Sequence, residues 1–218
     1  MPVAVSLIVT GSFCFDREMD LSDLRLSYTK AGLLEDEIDR DPFRQFETWM
    51  TQALSLNLLE PNAMTLATVN GGGQPSARTV LLKAFDSRGF VFYTNYESRK
   101  ARELAENPHA SLLFYWGELE RQVRTAGTVS RTTAAESDAY FDSRPVGHQL
   151  GAWASQQSVA VGSRASMEAS LAEAARRFGP GPVPRPPHWG GFRVAPQTME
   201  FWQGRANRLH DRLEYQRM

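Results

Sequence analysis

The 218 residues carry 42% hydrophobic and 22% charged side chains, with a formal net charge of −1. That is enough apolar material for one sizeable core, and the near balance of acids and bases argues against a protein that grips nucleic acid through bulk charge. The single cysteine, Cys14, cannot form an internal disulfide, no Cys/His spacing suggests zinc, and no apolar run reaches membrane-spanning length, so the expected setting is the reducing cytoplasm, away from membranes.

Residues 1–20 show no clear pattern, and the apolar start at Val3–Val9 lacks the basic region of a signal peptide. From Asp41 to Leu58, Phe43, Phe46, Trp49, Met50 and Leu54 recur at helical spacing, and Asp41-Pro42 supplies an N-cap followed by a first-turn proline. The patterning then changes. Strands are predicted over 63–69, 76–85 and 90–95, separated by the turn signals Asn70-Gly71-Gly72-Gly73 and Asp86-Ser87-Arg88-Gly89. A short helix over 98–106, closed by Asn107-Pro108, precedes strands over 110–116 and 122–130. Helices are predicted over 133–142 and 163–178, the latter with Met167, Leu171, Ala174 and Ala175 on one face. A Gly/Pro-rich loop leads to two last strands, 191–194 and 199–203. Short strands spaced by tight turns predict an antiparallel barrel with flanking helices, mainly β in an α+β chain.

Four clusters mix cations and hydroxyls with aromatics. In Arg78-Thr79-Val80-Leu81-Leu82-Lys83 the two cations are five apart, so a regular strand aims them at opposite faces; they serve two anions, or a bulge brings them together, or both are solvated edge charges. Tyr93-Thr94-Asn95 leads into Ser98-Arg99-Lys100, where a helix start with two cations suits an anion as well as it suits ordinary capping by Ser98. Tyr140 and Arg144 are spaced to share a helix face as a phosphate clamp, and Gln157 and Ser158 offer hydrogen bonds to a heterocycle edge; alone, this stretch is a helix end and a polar loop. Finally, Arg208, His210 and Arg212 alternate after Trp202, sharing one face if they lie on a strand, with a surface His210–Asp211 pair as the plainer alternative. No catalytic triad, carboxylate pair or P-loop is present. Anion donors and flat surfaces without a nucleophile suit a protein whose cofactor does the chemistry.

Taken in order, the pieces Arg-Thr-Val-Leu-Leu-Lys, Phe-Tyr-Thr-Asn, Ser-Arg-Lys, Arg-Gln-Val-Arg, Ser-Arg-Pro, Trp-Gly-Gly-Phe-Arg-Val and Glu-Phe-Trp-Gln-Gly…Arg-Leu-His-Asp-Arg resemble the pyridoxine/pyridoxamine 5'-phosphate oxidase family, from about Leu24 to Arg217. The resemblance implies a Greek-key split barrel and a homodimer with two FMN molecules at its interface. FMN would be held by Arg78, Thr79, Val80, Leu81, Leu82 and Lys83, by Tyr93, Thr94, Arg99, Lys100 and Gln122, and by Gln157, Ser158, Trp202 and Arg212, partly from the other subunit. The substrate phosphate would fall to Lys83, Tyr140 and Arg144, with Arg208, Leu209 and His210 over the pyridine ring. Arg208 and His210 would orient the substrate and help with protons, and Arg25 and Tyr28 look like an arm that closes over it. The implied reaction is hydride transfer from the substrate's 4' carbon to the flavin, which dioxygen reoxidises with release of hydrogen peroxide; an amine substrate also yields ammonia.

The chain departs from this pattern in three places. His148 stands where the family has a small hydroxyl residue beside the phosphate. Residues 1–18 match nothing in it, making them an expected extension before a single domain over 19–218 whose first part, 19–40, is the substrate-covering arm. The family also continues past this point into a last strand ending near Arg-Leu-x-Pro, whereas this chain stops at Met218. The rival readings are a split-barrel flavin reductase, a non-catalytic pyridoxal phosphate carrier and, against the charge balance, a nucleic-acid binder.

Overall fold

The computed structural model describes residues 28–30, 32–155 and 157–217. The expected extension 1–18 and the start of the expected arm therefore lie outside the described residues. The first helix, α1 (Pro42–Ser55), begins as expected: the Asp41 carboxylate accepts from the Phe43 N–H at 2.9 Å, with proline at the first turn. Its apolar stripe drives Phe46 into the barrel. There its ring lies 5.0, 4.9 and 5.0 Å from those of Phe85, Phe90 and Phe114.

Among the described residues eight antiparallel strands form one sheet: β1 (Ala63–Val69), β2 (Pro75–Leu81), β3 (Ala84–Asp86), β4 (Gly89–Asn95), β5 (His109–Trp116), β6 (Arg121–Arg131), β7 (Trp189–Gln203) and β8 (Asp211–Gln216). The order is β2-β1-β5-β6-β7-β4-β3, with β8 beside the second half of β7. The single strand expected over 76–85 is two strands. Leu82 N–H donates to Asn62 O and the next residue, Lys83, donates to Val91 O, both at 2.9 Å, so the ladder partner changes between consecutive residues. β2 and β3 thus lie at opposite ends of the sheet order although they adjoin in the chain. That connection makes the sheet curl into a barrel.

The two strands expected at the end of the barrel are one. Pro196 reads as a break because it lacks an N–H, but β7 runs on for 15 residues through a bulge opposite Ala126-Gly127. A glycine is needed there: a Cβ on Gly127 would lie 1.9 Å from the Ala195 carbonyl oxygen.

Among the described residues five helices flank the sheet. α2 (Arg99–Glu106) packs on β1, and α3 (Ala134–Asp142) packs on β7 behind a capping box between Thr133 and Glu136. α4 (Val146–Ala154) occupies a stretch expected to be a polar loop; Gly147 and Gly151 obscure its helical pattern. α5 (Arg164–Phe178) is a helix as expected, but its apolar face is not. Of the four residues proposed for it only Ala174 is buried, and Leu171 is exposed. Tertiary packing uses the helix's end instead: Trp153 on α4 meets Phe178, and the Arg177 guanidinium covers both rings at 4.7 and 5.1 Å.

Candidate active site

A cleft opens between β4, the α3–α4 turn, α4 and the first residue of β7. Leu81, Lys83, Tyr93, Thr94, Tyr140, Arg144, Gln157 and Trp189 are among its lining residues. Its wall is an aromatic stack. Tyr93 lies 4.0 Å from Tyr140 at 17° and 5.5 Å from Trp189 at 10°. Gly190 and Gly191 follow Trp189 because side chains there would strike Tyr96 and Thr132. Burial raises the Tyr93 pKa, with Glu136 and Tyr140 adding to it, so its phenol stays protonated and donates to the Glu136 carbonyl oxygen at 3.3 Å.

Arg144 spreads its guanidinium over Trp189 at 4.6 Å. Its Nη1 is buried with no hydrogen-bond partner among the described residues. A buried charged donor left unpaired is costly, so this atom suits an acceptor that the described residues do not supply. Burial also lowers the Arg144 pKa, against a smaller opposing effect of Tyr140. Tyr140 and Arg144 both line the cleft, but not from one helix: α3 ends at Asp142, and Arg144 N–H closes a turn onto Phe141 O at 3.1 Å. His148, in the first turn of α4, is exposed and is not among the residues lining the cleft.

Behind the cleft lies a second cationic group. Lys100 is buried, and its Nζ donates to Gln157 Oε1 at 2.8 Å and Thr94 Oγ1 at 3.1 Å. Burial and the nearby Arg78 lower its pKa to about 8, against the opposing pull of Glu103. Ser98 precedes α2 but makes no side-chain cap bond, so ordinary capping does not explain it and the helix N-terminus stays available to an anion. Glu103 is the hub. Burial alone would raise its pKa, yet hydrogen bonds from Ser76, Thr68, Arg99 and Arg78 hold it at about 2. Arg78 and Arg99 are therefore fixed on one carboxylate, at 3.1 and 2.8 Å. The break after β2 sends Arg78 to this group and Lys83 to the cleft. Val80 and Leu82 face the core, so only their backbones can reach a ligand. Leu81 lines the cleft, whereas Thr79 and Ser158 are exposed, the latter with φ 67°.

The third group sits near the far end of β7. Trp202 is opposite Gln122 on one side and Arg212 on the other. The expected face of Arg208, His210 and Arg212 does not form, because β8 starts only at Asp211. Arg208 ends a single 3-10 turn at φ 61°, exposed like Leu209. His210 Nδ1 accepts from the Arg205 N–H at 3.1 Å, which leaves Nε2 carrying the proton in the neutral ring. The His210 ring lies 4.7 Å from that of Trp202, and Tyr28 lies edge-on to both. Asp211 pairs with Arg205 at 3.2 Å and accepts from the Leu33 N–H at 2.8 Å. Arg212 lies 3.4 Å from Glu200. Arg25 lies outside the described residues.

The chain is similar to proteins of known family. Residues 50–177 match the family model described as pyridoxamine 5'-phosphate oxidase, and residues 189–218 match the pyridoxine 5'-phosphate oxidase C-terminal dimerisation region. A pyridoxine/pyridoxamine 5'-phosphate oxidase of Rubrobacter xylanophilus is 64% identical over 91% of this chain and 91% of its own length. One from Burkholderia multivorans is 60% identical over 90% and 92%. Among solved structures, PhzG of Burkholderia lata 383, in complex with tetrahydrophenazine-1-carboxylic acid, superposes with a TM-score of 0.81 at 33% identity, covering 87% of this chain and 95% of that one.

Proposed function

The chain belongs to the pyridoxamine 5'-phosphate oxidase family, and on that premise we propose that it oxidises pyridoxamine and pyridoxine 5'-phosphates to pyridoxal 5'-phosphate. FMN is its cofactor and dioxygen its final acceptor, in a cytoplasmic homodimer. Arg144 carries the reading: its buried Nη1, without a partner among the described residues, lies in a cleft that Tyr140 and Lys83 also line, which suits a phosphate. Lys100, the uncapped start of α2 and the Arg78–Arg99 pair on Glu103 fit a second phosphate, that of FMN. When bound, FMN supplies the acceptor for the hydride leaving the substrate's 4' carbon. The protein contributes position and charge. Lys83, Tyr140 and Arg144 fix the substrate phosphate, and His210, held by Arg205 N–H, offers its Nε2–H as a proton donor toward the substrate. Arg208 lies beside it as an orienting cation.

Distance supports the dimer. Trp189 opens β7 and Trp202 lies near its end, so at about 3.3 Å of rise per residue they are on the order of 40 Å apart along the strand. A second copy that brings its Trp202–His210 group to the cleft would complete two sites. The dimerisation-region match over the same residues supports this.

The decisive test is a visible spectrum of FMN-loaded protein before and after anaerobic addition of pyridoxamine 5'-phosphate. The flavin band should bleach. An unchanged spectrum would sink the oxidase reading in favour of a flavin reductase, and tight pyridoxal 5'-phosphate binding without any flavin would favour the carrier. Bleaching by a reduced phenazine carboxylate but not by the vitamin phosphate would point to chemistry like that in the PhzG complex.

Lys100 adds a pH dependence. Without ligand it loses its proton above about pH 8, whereas a phosphate, already doubly charged there, favours the protonated amine. FMN affinity should fall about twofold from pH 7 to 8, then about fivefold more over the next unit. Fluorescence titrations at several pH values check this, and Lys100→Gln should bind more weakly without the inflection.

A further inference from the structure

Glu120 joins β5 to β6 in a conformation that glutamate rarely adopts. Its φ is 54° and its ψ 38°, the left-handed region that disfavours any residue with a Cβ. The side chain is buried, yet no cation pairs with it among the described residues. Its Oε2 instead accepts two consecutive backbone donors from the arm, Thr29 N–H at 2.9 Å and Lys30 N–H at 3.0 Å. Lys30 Nζ adds a bond to Glu118 O at 2.6 Å. The Glu120 carbonyl oxygen accepts from Gly204 N–H at 2.7 Å and Gln203 Nε2 at 3.2 Å. One residue thus ties the arm to the end of β7 that carries Trp202.

Immediately before the clasp stands Tyr28, with its ring 5.8 Å from Trp202 and 5.5 Å from His210. Its seat requires a glycine, since a Cβ on Gly204 would lie 2.7 Å from Tyr28 Cγ. Backbone strain in a non-glycine residue persists where the surroundings over-determine it. A glycine would suit the turn better, and only the carboxylate accounts for glutamate here. We propose that Glu120 is a positioning residue whose carboxylate clasps the arm and seats Tyr28 against Trp202 and His210. The clasp closes the substrate side of the site. This role in turnover rests on the oxidase reading; the clasp itself does not.

The test compares Glu120→Gly, Glu120→Ala and Gly204→Ala with the wild-type holoenzyme. Glu120→Gly removes the clasp and relieves the backbone, so it should melt no lower than wild type. Its KM for pyridoxamine 5'-phosphate should nevertheless rise about tenfold, equivalent to about 1.4 kcal/mol, with kcat within twofold and FMN content unchanged. Glu120→Ala should match that KM at a lower melting temperature. Gly204→Ala should raise KM with Glu120 intact. Trypsin should cut after Lys30 faster in both Glu120 variants, a readout that stands even if the vitamin phosphate is not turned over. Wild-type KM and trypsin resistance in Glu120→Gly would overturn the proposal. So would parallel losses of melting temperature and FMN, which would make Glu120 a folding residue only.

Discussion

Replacing Arg144 with alanine should raise the KM for pyridoxamine 5'-phosphate by about 100-fold or more, with FMN content unchanged. The magnitude follows from what the side chain is positioned to give. Charge-assisted hydrogen bonds contribute about 1.5–3 kcal/mol each, and a guanidinium fork can make two to one phosphate, so losing them exceeds the ~2.7 kcal/mol that corresponds to 100-fold. The guanidinium is already held over Trp189 at 4.6 Å with Nη1 buried and unpaired among the described residues, so little ordering remains to be done on binding. Lysine should rescue poorly: it keeps the charge but not the planar fork or the stacking on Trp189. The measurement is steady-state kinetics with the phosphorylated and dephosphorylated substrates. The variant should lose its preference between them, and a kcat/KM within threefold of wild type would remove Arg144 from the phosphate site.

Much of this site was legible in the sequence, for a physical reason. Cations, hydroxyls and aromatics that serve a ligand come in short runs, and Ser98-Arg99-Lys100 or Tyr140 with Arg144 are local enough to read. What the sequence hid depends on pairing between distant strands. Leu82-Lys83 looks like the middle of one strand because nothing local reveals that the ladder partner changes there. Pro196 looks like an end because its bulge is made possible by Gly127 on another strand. Glu103 and Glu120 drew no attention because an acid in a charged run reads as solvated surface. Only the fold shows that the first gathers two arginines and the second two backbone amides. Trp189 was visible in Trp-Gly-Gly-Phe, but its stacking on Tyr93 required β4 and β7 to be neighbours. Conversely, the regular alternation of Arg208, His210 and Arg212 misled, since the turn at Asn207 and Arg208 takes positive φ and breaks the strand period.

The separation of the two half-sites gives the second large prediction. Arg144→Ala damages the cleft near the start of β7, and His210→Ala damages the group near its end, where losing an acid–base residue should lower turnover by on the order of 100-fold. If each site takes its cleft from one protomer and its His210 from the other, a heterodimer of the two variants contains one wild-type site and one doubly damaged site. Random mixing makes half of the dimers heterodimers, so activity should recover to about a quarter of wild type although neither parent works. If both groups served a site within one protomer, each heterodimer site would retain one lesion and mixing would restore nothing. Co-expression with two different tags, purification through both in succession, and assay of the doubly selected dimer sharpens the contrast: about half of wild-type activity on the shared-site geometry, and parental activity on the other. The outcome bears on the fold as much as on catalysis. On the shared-site geometry β7 would carry Trp189 to one site and Trp202 toward another, and its continuity past Pro196 would couple two sites across one barrel.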